Sequence, residues 1–240
     1  MYKLRTAIIL TFILCILLLT STAFAEKQEW VDQYFDFKQV KRILVYNPKV
    51  AEHLLNGINE KEIQEIFIAK LKFPKEIQVI TFSDYLKLIT NDTGINPMLL
   101  YSTDPKKAIE ILTENIPKYA DISISANVLE YSIGSEYREG YTYQTTAYQT
   151  TYVYGRGGTT TIQYPVTTNH QVSGRNVPVA YSSIRWDVYY TKTDTAIFSR
   201  LEDRARANPT ILNNTKPKDL YGRILDSFFD DLSDKIQKGK

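Results

Sequence analysis

Residues 1–25 constrain the fold most, because they take themselves out of it. Lys3 and Arg5 precede an almost unbroken apolar run from Ala7 to Leu19, and Ala23-Phe24-Ala25 sets small residues at the two positions a signal peptidase reads. The run is shorter than the roughly 20 apolar residues of a transmembrane helix. It reaches that length only by including Thr20, Ser21 and Thr22. The pattern predicts an export signal cleaved after Ala25, with an uncleaved membrane anchor as the alternative. Cys15, the only cysteine, follows Phe12-Ile13-Leu14 where a lipidated cysteine follows a small residue, and the apolar run continues past it.

Residues 26–240 must then fold outside the cytoplasm with no disulfide, held by a hydrophobic core alone. A chain of ~215 residues is long enough for one. This excludes a small disulfide-stapled toxin or growth factor. The sequence holds 29 Lys+Arg and 27 Asp+Glu, and the surplus bases are Lys3 and Arg5, so the exported part is formally neutral. Neutrality argues against nucleic acid and acidic lipid surfaces as main partners.

Glu26 to Asp36 is polar with scattered aromatics and is expected to be a lead-in. Val40 to Tyr46 is a short β-branched run, the first expected strand. Pro48 to Leu55 suggests a short helix. Asn59 caps a second helix, with Glu62 as its capping-box partner and Ile63, Ile66, Phe67 and Leu71 at helical spacing, stopped by Pro74. Ile77 to Ile80 is the next strand. Ser83 is expected to cap a helix carrying Tyr85, Leu86 and Ile89. Asn91 to Thr103 is expected to be loop, and Asp104-Pro105 starts a further helix buried through Ala108, Ile109, Ile111, Leu112 and Ile116.

The periodicity then changes from helix to strand. Ile122, Ile124, Ala126 and Val128 alternate with polar neighbours, and a slip of phase to Leu129, Tyr131 and Ile133 predicts a bulge near Val128. Ile184, Trp186, Val188 and Tyr190 alternate in a second long strand, and Lys192-Thr193-Asp194 turns it into a partner from Ala196 to Leu201. Arg204 to Asn214 is expected to be loop. Pro217 opens an amphipathic C-terminal helix with Leu220, Tyr221, Ile224, Leu225, Phe228, Phe229, Leu232 and Ile236 on its apolar stripe. The order predicts a single α/β (α+β) domain over 26–240, a mixed sheet with helices packed on it, and first strands parallel through a right-handed crossover.

Residues 134–176 are expected to form a Tyr/Thr-rich hairpin or loop insertion. TYVYGRGGTTTIQY favours strands turning at Gly155 to Gly158, and the segment carries Tyr137, Tyr141, Tyr143, Tyr148, Tyr152, Tyr154 and Tyr164. These seven tyrosines are the candidate partner-contact surface, because tyrosine rows supply rigid area with a hydroxyl at the tip. They could stack on sugar rings or dock a partner strand by edge addition. Tyr148, Tyr152 and Tyr154 share a parity. The bland alternative is a polar surface loop. A membrane-inserted hairpin would need aliphatics on its outward face, and Thr/Gln-rich stretches supply few.

No catalytic constellation is visible. His53 and His170 stand far apart with no mature cysteine to join them, which excludes Cys/His metal sites, and no cofactor or metal is expected. His53 is expected to pack or face solvent, and His170 to be solvent-exposed. No G-x-S-x-G elbow occurs, and Gly155-Arg156-Gly157-Gly158 lacks the Lys-Ser/Thr ending of a phosphate loop. Asp230, Asp231 and Asp234 are expected on a solvated helix face. Glu202 and Asp203, with Arg200, Arg204 and Arg206 nearby, suggest surface ion pairs rather than a glycosidase acid/base pair. Asn91-Asp92-Thr93 and Asn213-Asn214-Thr215 match the glycosylation triplet, which is common by chance.

An export signal, FDFKQVKRILVYNP leading into a strand, VITF, a helix beginning DPKKAIEIL, the strand YADISISANVLEY and the late pair IRWDVYYTKTDTAIFSR follow one another. This order resembles small bacterial envelope proteins related to the curli-secretion lipoprotein, the amino-terminal domain of the Tol-system translocation protein and several uncharacterised periplasmic families. The likeness runs from Phe35 to Lys238 without the tyrosine segment. The late pair resembles strands around a D-x-x-T-G turn, here without its glycine, and the usual lipobox is missing. The resemblance implies an α/β envelope domain that works by binding or assembly, and no functional residue is carried over from it.

The sequence therefore points to an exported, non-enzymatic periplasmic or envelope protein. Its expected partner is an envelope protein or cell-surface polymer, or further copies of the same chain. Two alternatives make structural demands of their own. A secreted hydrolase needs a concave pocket with two facing carboxyls of perturbed pKa. An oligomeric pore component needs a long two-stranded arm that is apolar on one side.

Overall fold

The computed structural model describes residues 23–55, 57–155, 158–208 and 215–239. Most of the expected export signal, with Cys15, lies outside them, as do Arg156-Gly157 of the expected turn and residues 209–214. The fold is mixed α+β: a seven-stranded sheet in the order β1-β9-β8-β5-β2-β4, with β3 beside β5, and a separate two-stranded sheet of β6 and β7. The strands are β1 Ala23–Val31, β2 Arg42–Val45, β3 Lys49–Val50, β4 Gln78–Thr81, β5 Ile122–Arg138, β6 Tyr141–Gly155, β7 Gly158–Val172, β8 Arg175–Tyr190 and β9 Thr195–Ala207. The helices are α1 Glu60–Lys70, α2 Phe82–Thr93, α3 Pro97–Tyr101, α4 Pro105–Tyr119 and α5 Pro217–Lys238. Chain contacts divide the protein into two units, one holding the chain up to Gly134 and from Val179 onward, the other Ser135–Pro178.

β2 runs parallel to both β4 and β5, as helix-connected strands must. β5 and β8 are antiparallel: the Thr191 amide donates to the Asp121 carbonyl and the Ser125 hydroxyl to the Asp187 carbonyl, so numbers rise on one strand as they fall on the other. Two cores follow from strand alternation. Ile43 and Val45 join Ile122, Ile124, Trp186, Val188 and Phe198 under α1 and α5, with the Trp186 ring stacked 3.7 Å from that of Phe228. Leu44, between them in sequence, faces the other side with Ile80, Tyr85, Ile89 and Ala120.

Asp121 fixes the parallel register. Its carboxylate accepts from the backbone amides of Lys41 and Arg42, both at 2.9 Å, and from Arg42 Nη2 at 3.0 Å. These bonds tie the start of β2 to the start of β5. Asp121→Ala leaves three donors without their acceptor and is expected to lower stability by ~1–3 kcal/mol, read as a lower urea midpoint at unchanged slope. An unchanged midpoint would remove the carboxylate from the register argument.

Several local expectations are corrected. The stretch expected as lead-in begins inside an edge strand, because β1 pairs antiparallel with β9 from Ala23↔Arg206 to Val31↔Phe198. An edge strand with polar residues on both faces carries no alternation to announce it. The same pairing, with β8 on the other side, extends β9 through Ala207, where loop was expected from Arg204. Pro48 to Leu55 is not a helix: Lys49 and Val50 pair with Asn127 and Val128 of β5, and only Glu52–Leu54 makes a 3-10 turn. The cap of α2 is Thr81, whose side chain accepts from the Asp84 amide, and not Ser83. The expected loop 91–103 contains α3, capped by Asn96. Asn59 caps α1 as expected. Beyond Val128, Leu129 and Ile133 are exposed and only Tyr131 of the expected new phase packs inward, edge-on to Tyr221 at 6.0 Å.

Candidate functional site

Thr and Tyr at half of the positions commit residues 141–172 to extended backbone, since β-branched and aromatic side chains fit a pleated surface. The result is an uninterrupted antiparallel ladder from Tyr141↔Val172 to Gly155↔Gly158, with β6 and β7 each 15 residues long. At the usual rise per residue it is about 50 Å long. No third strand joins it among the described residues.

The ladder assigns the tyrosines. Tyr141 and Tyr143 are at odd positions, and their rings lie 6.1 Å apart. Tyr143 also stacks on His170 at 4.9 Å and 15° between planes. His170 Nε2 in turn meets Thr145 Oγ1 at 2.8 Å. His170 is thus half-buried in a stack and not solvent-exposed as expected. Tyr148 is at an even position, opposite Pro165, and is 72% exposed. Tyr137, at the end of β5, is also exposed. The ladder pairs Tyr152 with Thr161, Tyr154 with Thr159 and Tyr164 with Gln149, while their side chains lie outside the described residues. Two glycines close the base. A Cβ on Gly174 would collide with the Tyr137 hydroxyl, and one on Gly140 with the Val172 carbonyl.

The odd positions carry Tyr141, Tyr143 and Ala147 opposite Val172, His170 and Val166. The even positions carry Thr142, Gln144 and Thr146 opposite Gln171, Asn169 and Thr167. Over 141–147 the odd parity is thus mainly aromatic and aliphatic and the even parity amide and hydroxyl, whereas beyond Ala147 the even positions carry Tyr148, Tyr152 and Tyr154 and the odd positions Gln149 and Thr151. The shared parity of Tyr148, Tyr152 and Tyr154 is legible along one strand, and the cross-strand partners come only from the register.

A second cluster lies on the sheet beneath the C-terminal half of α5. Arg200 is 1% exposed, with Phe198 and Phe228 rings beside its guanidinium. It donates to Glu29 Oε2 through Nε at 2.9 Å and Nη2 at 2.5 Å, and to Asp231 Oδ2 at 2.8 Å. Lys27 holds Asp231 at 2.6 Å and Lys235 holds Glu29 at 3.1 Å. Arg204 grips Glu202 Oε1 through Nε and Nη2 at 2.8 and 2.6 Å. Arg200 and Glu202 are buried, which corrects the expectation of surface pairs, while Asp231, its side chain 43% exposed beside the exposed Asp230 and Asp234, joins the network from the solvated face of α5.

Burial alone would raise the Glu29 carboxyl, but the charges of Arg200 and Lys235 outweigh it and hold it below the ordinary range. Asp231 is likewise raised by burial and then brought lower overall by Lys27 and Arg200. For Asp121, the Lys41 amide and Arg42 outweigh burial in the same way. A carboxyl lowered on folding binds fewer protons folded than unfolded, so its stabilisation is complete above the unfolded value near ~4 and is lost as pH falls through the folded value. The protein is expected to hold its melting temperature from pH 7 to ~5 and to lose it steeply below ~4. A flat profile down to pH 3 would show that these three carboxyls carry no linkage.

Hollows of about 290 Å³ (Lys27, Glu29, Asp231, Asp234, Lys235, Lys238) and about 310 Å³ (Gln28, Glu29, Trp30, Arg185, Ser199, Leu201) open beside this network. The first holds carboxyls, but Glu29 and Asp231 are both lowered and held by cations. A general acid needs a carboxyl raised toward neutrality. Among the described residues no three His, Cys, Asp or Glu side chains converge as a metal site. His53 lies exposed in its 3-10 turn.

No family model matches the chain, and no curated protein matches it. Among solved structures it is similar to the PelC dodecamer of Paraburkholderia phytofirmans, at 10% identity over 88% of this chain and 98% of that one, with a TM-score of 0.42. It is similar to a putative neuraminyllactose-binding hemagglutinin homolog of Helicobacter pylori, at 12% identity over 84% and 90%, TM-score 0.38. It is also similar to lipoprotein GNA1162 of Neisseria meningitidis, at 11% identity over 81% and 99%, TM-score 0.30. All three come from bacteria, and at these identities no residue of theirs assigns a role to a residue here.

Proposed function

We propose that the protein is an exported, non-enzymatic binding or assembly component of the bacterial cell envelope, and that the β6–β7 hairpin is its contact surface. One observation carries this reading: the hairpin is a sheet of two strands only, with outer edges unpaired among the described residues and tyrosines exposed along it. A two-stranded ribbon is marginal in water, and open edges invite a further strand. A partner strand added to an edge would complete the ladder, while tyrosine rings supply area and hydroxyls at little entropic cost. Against a hydrolase stands the charge network, whose lowered carboxyls suit structure better than acid catalysis.

The two open strand edges favour a more specific form of the same reading, in which the partner is another copy of the chain. Hairpins laid edge to edge would form one continuous sheet, and over 141–147 and 166–172 its odd face would be the more apolar one, the side a pore component turns toward lipid. The test is capture from envelope extracts by the intact chain and by a chain lacking residues 140–174, with oligomeric mass measured on both. Retained capture by the shortened chain would overturn the contact role. A fall from oligomer to monomer would identify the partner as another copy.

A further inference from the structure

We propose that the outer edge of β6 pairs antiparallel with the β6 edge of a second copy of the chain, while Pro165 closes the outer edge of β7, so that two hairpins join as one four-stranded sheet and assembly stops at a dimer. The proposal rests on the contact role of the hairpin and deepens it by naming the edge, the partner and the register.

Both edges are unpaired among the described residues, but they are not equivalent. Antiparallel pairs alternate between those that exchange hydrogen bonds with each other and those whose N–H and C=O point outward. Two residues separate Gly155 from Gly158, and the pair that closes a two-residue hairpin exchanges both bonds. Alternation from that pair turns the even positions of β6 and the odd positions of β7 outward, Tyr148 and Pro165 among them. Pro165 agrees with this phase, because a proline sits in a continuous ladder only where its missing N–H would face away from the partner. It stands at the middle of β7, where it removes a donor and sets its ring in the path of an incoming strand.

Proteins guard exposed strand edges with charges, prolines, bulges or short strands. β6 has none of these. Tyr141–Gly155 is 15 residues long, contains no Asp, Glu, Lys, Arg or Pro, and holds one register with β7 from end to end. A long, straight, uncharged edge of β-forming residues is one that pairs.

The pattern of β6 itself names the occupant. Tyr148 is the midpoint of Tyr141–Gly155, and a two-fold axis there pairs the whole strand with its copy. Outward positions then meet outward positions, as the hydrogen bonds require. The same register sets Tyr141 opposite the second copy's Gly155, Tyr143 opposite its Val153, Thr145 opposite its Thr151 and Thr146 opposite its Thr150. Aromatic against glycine, aromatic against β-branched and threonine against threonine are favourable cross-strand pairs, and no like charges meet. A ring built of β6 against β7 would instead have to seat Pro165 in every joint.

The experiment is sedimentation equilibrium on the full exported protein and on edge variants. The protein is expected to be a dimer. Thr146→Pro removes an outward N–H from β6 and leaves the β6–β7 ladder whole. The axis doubles that loss to two hydrogen bonds, so the dimer dissociation constant is expected to rise about a hundredfold. Thr167→Pro makes the same change on β7 and is expected to leave the dimer intact, although both variants lose the contact between the Thr146 and Thr167 hydroxyls. Charge tests the register. Thr146→Lys with Thr150→Lys sets like charges across the axis and is expected to give a monomer, while Thr146→Lys with Thr150→Glu is expected to restore the dimer. A monomeric intact protein, an assembly larger than a dimer, equal weakening by Thr167→Pro, or no restoration by the Lys and Glu pair would each overturn the proposal. A monomer that still captures envelope partners through residues 140–174 would overturn pairing between copies and leave the contact role standing.

Discussion

A chain in which a short Gly/Ser linker replaces residues 140–174 is expected to melt within about 2–4 °C of the intact protein and to capture nothing from envelope extracts. The small thermal effect follows from burial. No described residue between 140 and 174 belongs to either core, and burial resumes only at Val177. The ends are already adjacent, since the site a Cβ would take on Gly140 lies 2.7 Å from the Gly174 amide nitrogen, so a short linker spans the cut. The loss of capture follows from chemistry. The deletion removes every tyrosine of the candidate surface except Tyr137, together with the unpaired strand edges. A drop in melting temperature larger than about 10 °C, beyond what a few kcal/mol of lost contacts explains, would mean the hairpin holds the fold together, and the contact role would then need to be tested by Tyr141→Ser with Tyr148→Ser instead.

Arg200→Ala is expected to be the most damaging single substitution, lowering stability by ~3–5 kcal/mol, the range for breaking a buried ion pair from one side. Arg200 bridges Glu29 on β1, Asp231 on α5 and the buried Glu202 beside it on β9. Its Nη1 stands 3.8 Å from Glu202 Oε2, so removal leaves a carboxyl group in the core with Arg204 as its remaining partner. Arg200→Lys keeps the charge but not the fork that reaches Glu29 and Asp231 together, and is expected to lose less. The deficit of Arg200→Ala should shrink as pH falls below ~4, because protonating Glu29 and Asp231 removes the attraction the arginine supplied. A deficit that is independent of pH would assign the effect to lost packing against Phe198 and Phe228 and not to charge.

Local periodicity made much of the fold legible. Alternation at Ile184, Trp186 and Val188 announced β8, the stripe Leu220 to Ile236 announced α5, and Thr/Tyr runs around a Gly cluster announced β6 and β7. Punctuation worked where one residue type does one job, as at Asn59, Asp104 and Pro217. It failed at β1 and β3, whose backbone is extended only because β9 and β5 lie beside them. It also failed at α3, a five-residue helix with no room for a period to show.

The candidate tyrosines were likewise readable as residue types, and the shared parity of Tyr148, Tyr152 and Tyr154 with them, while the face of Tyr164, opposite Gln149, appeared only once β6 was set against β7. The order of apolar and polar residues along the chain was enough to determine an α+β sheet domain with a tyrosine hairpin, because each side chain's preference acts on its own few neighbours. Which strand forms the sheet edge, which three elements meet at Arg200, and which apolar side chains remain uncovered at Met98 and Leu99 were decided only by the tertiary structure. Those outcomes depend on residues as far apart as Glu29 and Arg200 becoming neighbours, and no local pattern carries that distance.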